Sequence, residues 1–249
     1  MHHFIRTVCA TALLAAGFAA HAGTVKFNSW AYGGGNTVDV TSPIFNGQAG
    51  AFSITLSGFA AGFNGVFEAY CVELTENVSL GATYTTYNIV TAESYFQSNN
   101  KTKDKIKGKS GVAASLTSLI SHVNNSHMMA NTAAGFKDDQ STALQLAIWN
   151  TVYDTDSTLS SGSFSEADGT AYRNNSTTST TTNFWGANSL LQNAGAASGY
   201  SLYVLESRGT PGQQDQLIWL RNQVPEPTSL ALVALALGGV GFVSRRRKA

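Results

Sequence analysis

The stretch Val66-Phe67-Glu68-Ala69-Tyr70-Cys71-Val72-Glu73-Leu74 sets the reading of the chain. Its Val, Phe and Tyr content marks a strand. With a side-chain period of two, Phe67, Ala69, Cys71 and Glu73 fall on one face. Similar segments flank it at residues 24–30, 37–40, 51–56 and 83–90, all rich in Val, Ile, Thr, Tyr and Phe. Gly and Asn clusters such as Gly33-Gly34-Gly35-Asn36 separate them. This spacing predicts an antiparallel sheet or barrel and argues against βαβ units.

The middle of the chain changes period. Val112, Leu116, Leu119 and Val123 recur on one helical face, and residues 139–153 form a second helical pattern. Asp138 and Asp139 stand where caps and first-turn acids belong. Residues 155–183 are rich in Ser, Thr, Asn and Gly and read as a long exposed loop. A short helix is expected at 188–193, and strands return at 200–206 and 214–220. The expected class is therefore α+β, an antiparallel β-sheet or barrel with a helical insertion, and no internal repeat stands out.

Both ends read as addresses. Arg6, the apolar run 8–20 and Ala20-His21-Ala22 have the layout of a secretory signal peptide, with the cut expected after Ala22. At the other end Pro225-Glu226-Pro227 leads into residues 228–243, sixteen residues without a charge, and then Arg245-Arg246-Arg247-Lys248. As a helix that span would reach about 24 Å, just short of a hydrocarbon core. The cationic end is expected to stay cytoplasmic, with everything before it outside.

Of 249 residues, 15 are Lys or Arg and 15 are Asp or Glu, which lacks the basic excess of a nucleic-acid binder. Trimming both ends to residues 23–224 leaves ten cations against fourteen carboxylates, a net charge of −4. Cys9 departs with the signal peptide. Cys71 is then the single cysteine of an exported chain, unable to form an internal disulfide. An intermolecular bridge, a free thiol, a buried thiol and a different covalent bond all stay open.

The second helix holds a second unusual residue. Taking Leu144 as origin, Ile148 lies at about 40°, Val152 at about 80° and Trp149 at about 140°. Gln145 falls at about 100°, inside the apolar stripe. A buried carboxamide left unmet costs on the order of 1–3 kcal/mol, so Gln145 needs hydrogen-bond partners or must have reacted.

Two family resemblances follow from these residues. The tail, with Pro225-Glu226-Pro227, the short span and Arg245, Arg246 and Arg247 in order, resembles the PEP-CTERM sorting signal of Gram-negative bacteria. The resemblance implies an exosortase-type processing enzyme, a precursor held in the inner membrane by the tail, and a cell-surface, biofilm or exopolysaccharide-matrix destination. Tyr70-Cys71-Val72-Glu73 together with Gln145-Leu146-Ala147-Ile148-Trp149 resembles the paired signature of bacterial surface thioester domains. By that resemblance Cys71 supplies the sulfur and Gln145 the acyl carbon of an internal thioester. Leu144 stands where the Gram-positive pattern has Thr, with Thr142 two positions earlier, and the later Ser-Gly-x-Asn element is not evident.

The expectation is single-turnover covalent capture of a surface amine or hydroxyl, on a protein or polysaccharide, for adhesion or matrix anchoring, with no enzyme turnover and no cofactor or metal. Glu73 is expected to be a solvated surface group, with proton acceptance at the thioester its alternative role. A noncovalent structural or exopolysaccharide-associated matrix protein is the alternative to the capture function, and a Cys–His hydrolase is a third. His122 and His127 are five apart, off the spacing of a helical metal pair. Lys101, Lys103, Lys105, Lys107 and Lys109 suit an anionic polysaccharide or a solvated loop. Trp30, Trp149, Trp185 and Trp219 suit a sugar platform or a core. Asp138, Asp139, Asp154 and Asp156 make no calcium loop.

Overall fold

The computed structural model describes residues 23–42, 44–98, 110–125, 138–154, 158–159, 165–166, 173–174, 177–178, 186–209 and 212–222. The signal segment, the lysine row, His127, Trp185 and the sorting tail with its apolar span lie outside the described residues. Among the described residues no helix is long and apolar enough to cross a membrane.

Six strands close into an antiparallel barrel: β1 (Gly23–Trp30), β4 (Phe52–Ser57), β5 (Gly65–Cys71), β11 (Gln216–Arg221), β10 (Tyr200–Ser207) and β6 (Thr83–Thr91), in that order around the wall. Alternation decides which residues face inward. In β1 Val25 and Phe27 are buried while Lys26 and Asn28 are exposed, and in β4 Phe52, Ile54 and Leu56 are buried. Phe27 meets the rings of Phe52 and Tyr84 edge-on at 5.5 and 5.8 Å. Each such side chain stabilises the fold by roughly 1.5–3 kcal/mol.

A second sheet orders β3 (Ile44–Ala49), β2 (Asn36–Ser42) and β7 (Ser165–Glu166), and β8 (Arg173–Asn174) pairs with β9 (Thr177–Thr178). The helices α1 (Ala92–Gln97), α2 (Val112–Asn125), α3 (Asp138–Tyr153) and α4 (Ala187–Gln192) all fall between β6 and β10, forming the expected helical insertion. β3 and α1 were not legible in the sequence, and the two-residue strands β7, β8 and β9 lie within 155–183, which reads as loop because pairs this short carry no periodicity. β3 has one large inward-leaning side chain, Phe45, and exists by pairing with β2. α1 is a short helix started by Thr91, whose side chain accepts from the Ser94 N–H at 3.2 Å.

The central helix α3 is buried nearly all round, including Ser141, Thr142, Gln145 and Asn150. Each of these polar side chains serves the backbone of a neighbouring segment. Ser141 Oγ accepts from Ala51 N at 2.7 Å, and Thr142 donates to Ala49 O at 2.9 Å. Asn150 donates to Thr158 O at 2.8 Å. Buried hydroxyls and amides are tolerable only when paired in this way.

The sequence expectation carried β5 to Leu74 with Glu73 beside Cys71. The strand instead ends at Cys71, because its neighbour β11 begins at Gln216, directly opposite. One further bond, Val72 N to Asp215 O at 3.0 Å, follows before the chain leaves the ladder. Glu73 is not a solvated surface group: it is fully buried, and its Oε1 accepts from Asp215 N at 2.5 Å.

Candidate functional site

Cys71 is the last residue of β5 and is buried as a free thiol. α3 delivers Gln145 to it, as the buried helix face foretold, but to its backbone. Gln145 Oε1 accepts from Cys71 N and Gln145 Nε2 donates to Cys71 O, both at 2.8 Å. The carboxamide acts there as a one-residue strand, satisfying the main chain of Cys71 on the side that has no sheet neighbour.

The sulfur faces the opposite way, toward the segment entering β11. Cys71 Sγ donates to Gln214 Oε1 at 2.9 Å, and Gln216 Nε2 donates to the sulfur at 3.8 Å. Gln214 is held at two further points. Its Nε2 donates to Glu73 O at 2.8 Å, and its main-chain oxygen accepts from Tyr87 OH at 2.8 Å and from Gln216 Nε2 at 3.2 Å. Gln214 and Gln216 were expected only as part of a strand at 214–220. A signal for them exists in the sequence: period two puts both on the face of Ile218, so two carboxamides precede the apolar side of a strand.

A cavity of about 280 Å³ reaches this pair. Cys71 and Gln214 line it, with Trp30, Phe45, Phe52 and Trp149 as its aromatic wall and Asn46, Gln48 and Asn77 as exposed polar members. Gln145 and His122 are not part of its lining. Trp30 stacks on Phe52 at 4.5 Å, and Phe45 meets Trp149 edge-on at 5.3 Å. Of the expected sugar-platform residues, Trp219 stacks on Tyr70 at 5.7 Å, while Trp149, buried in the core, and the half-buried Trp30 both border the cavity.

Burial pushes the Cys71 thiol far above its ordinary range; the Glu73 carboxylate adds to the rise, and hydrogen bonds from Gln216 and the backbone oppose it. A thiol kept protonated in this way is poorly reactive toward outside reagents. Carboxylate oxygens of Glu73, Glu76 and Asp215 lie within 4.8 Å of one another, a spacing that suits a cation. Protein donors already explain much of this grouping. Asp215 Oδ2 accepts from Tyr95 OH and Oδ1 from Ser207 N, both at 2.6 Å, and Glu73 Oε1 accepts from Asp215 N.

No curated protein matches the sequence. Among solved structures the chain is similar to the N-terminal thioester domain of fibronectin-binding protein SfbI from Streptococcus pyogenes, at 20% identity. The match covers 68% of this chain and 85% of that one, with a TM-score of 0.39. Residues 223–248 match the family model described as the PEP-CTERM protein-sorting motif, so the chain carries a signal that implies an exported protein, processed by an exosortase-type enzyme from a precursor held at the membrane by its C terminus.

Proposed function

We propose that this protein is an exported surface protein that captures a nucleophilic partner covalently through an internal thioester, and that the acyl carbon belongs to Gln214. The observation that carries this reading is the 2.9 Å contact between Cys71 Sγ and Gln214 Oε1 in the wall of a cavity. The sequence resemblance assigned the acyl carbon to Gln145. The Gln145 carboxamide is engaged at both ends by the Cys71 main chain, which favours a positioning role for it.

The chemistry balances within the site. The Cys71 sulfur attacks Cδ of Gln214, the C–N bond breaks, and the thiol proton leaves with the nitrogen as ammonia. In capture, an amine or hydroxyl of the partner attacks the same carbon and the C–S bond breaks. The nucleophile's proton passes to the sulfur, leaving an amide or ester. The aromatic wall limits water at the acyl carbon before the partner arrives. One molecule of protein captures one partner and does not turn over.

Intact-mass measurement of the mature protein tests this. We expect the loss of one ammonia and no alkylatable thiol in the folded state, with the ammonia loss abolished in Cys71→Ala and Gln214→Ala and retained in Gln145→Ala. Ammonia loss that vanishes in folded Gln145→Ala and survives in Gln214→Ala returns the acyl carbon to Gln145. Full mass in the unaltered protein overturns capture and leaves the noncovalent matrix role.

A further inference from the structure

Gln216 sits directly opposite Cys71 in the β5–β11 ladder and is fully buried. The two hydrogens of its amide nitrogen go to two different places. One is directed at the Cys71 sulfur at 3.8 Å, the other at the main-chain oxygen of Gln214 at 3.2 Å. A single NH2 group thus spans the nucleophile and the residue it would attack. The other end of the carboxamide is different: Gln216 Oε1 is buried without a hydrogen-bond partner among the described residues.

A buried acceptor in that condition lowers stability. Nor is the Gln216 amide needed to satisfy Gln214 O, which Tyr87 OH already serves at 2.8 Å. An apolar side chain of similar length would fill the same space without the orphaned oxygen. Packing therefore gives no reason for a glutamine at this position, while the sulfur does.

Resting on the thioester reading, we propose that Gln216 is a positioning residue for that chemistry: its amide N–H holds the Cys71 sulfur against Gln214 and stabilises the sulfur as it departs when a partner is captured. Sulfur leaves as an incipient thiolate in an apolar wall, where a directed donor is worth more than in water. The Glu73 carboxylate opposes negative charge on the sulfur, which increases the need for such a donor.

The test compares Gln216→Met and Gln216→Glu with the unaltered protein, reading the rate of methylamine incorporation by intact mass and the melting temperature of each. We expect methylamine incorporation to slow at least tenfold in both variants, or the ammonia loss to be incomplete. Gln216→Met that has lost its ammonia is expected to melt at or above the unaltered protein. Rates within twofold in both variants overturn the proposal, as does slowing that appears only with a lowered melting temperature in protein that has lost its ammonia. Full mass in the unaltered protein is a separate result that removes the thioester itself, because it involves no change at Gln216.

Discussion

Gln145 meets its hydrogen-bonding needs on the main chain of one residue, Cys71, and this makes its removal a clean experiment. Gln145→Ala leaves Cys71 N and Cys71 O buried without partners, a loss of about 2–5 kcal/mol in chemical denaturation. An unchanged denaturation midpoint would contradict the bonding described. The burial of Gln145 was legible because the helical period of α3 places it among Leu144, Ile148 and Val152. Its partner atoms were not, since a carboxamide facing a strand can meet either a side chain or a backbone. Gln214 and Gln216 escaped notice for a different reason. In the run Gln213-Gln214-Asp215-Gln216 they look like the polar margin of a strand. Only the pairing of segments about 145 residues apart reveals that they face a sulfur.

Among elements, the β-rich first third and the two long helices followed from periodicity, and their boundaries came within a few residues. The exceptions lack a periodic signal: β3 and the two-residue strands β7, β8 and β9 are defined by their pairing, and α1 by a cap. The turn joining β1 to β2 packs against Trp30, one wall of the cavity. A Cβ on Gly35 would lie 2.7–2.9 Å from ring carbons of Trp30, so the indole rests directly on the glycine backbone. Gly35→Ala is expected to push Trp30 off its stack on Phe52, at a cost of about 1–3 kcal/mol. Tryptophan fluorescence and denaturation report both effects. An unaltered emission spectrum with unaltered stability would show that the ring has room to yield.

For the whole molecule, a bond between Cys71 and Gln214 would close a loop of 143 residues within one wall of the barrel. Restricting the unfolded chain by a loop of that size stabilises the fold by up to about 4 kcal/mol. Protein opened by methylamine is therefore expected to melt several degrees below the closed form. The difference has a pH dependence whose sign follows from the thiol. In opened protein the folded state keeps Cys71 protonated, because burial raises its pKa, while the unfolded state releases the proton near pH 8.5. The folded state then binds more protons, so stability of the opened form falls as pH rises through that range. The closed form has no thiol to titrate, and the gap between the two should widen above about pH 8.5. Melting curves at pH 7 and pH 9.5 that differ by the same amount would contradict this.

The position of β11 has a mechanical consequence. β11 ends at Arg221, and the matched sorting segment begins at residue 223. A partner held on Gln214 and an anchor at the C-terminal end would pull on opposite ends of this single strand. Tension would enter and leave through β11, resisted in shear by β5 on one side and β10 on the other, while the helices and the rest of the barrel stayed outside the force path. Attachment through Gln145 would instead draw α3, α4 and β10 into the line of pull. An acyl carbon placed just before β11 would thus suit a tether that must bear load without unfolding the domain that formed it.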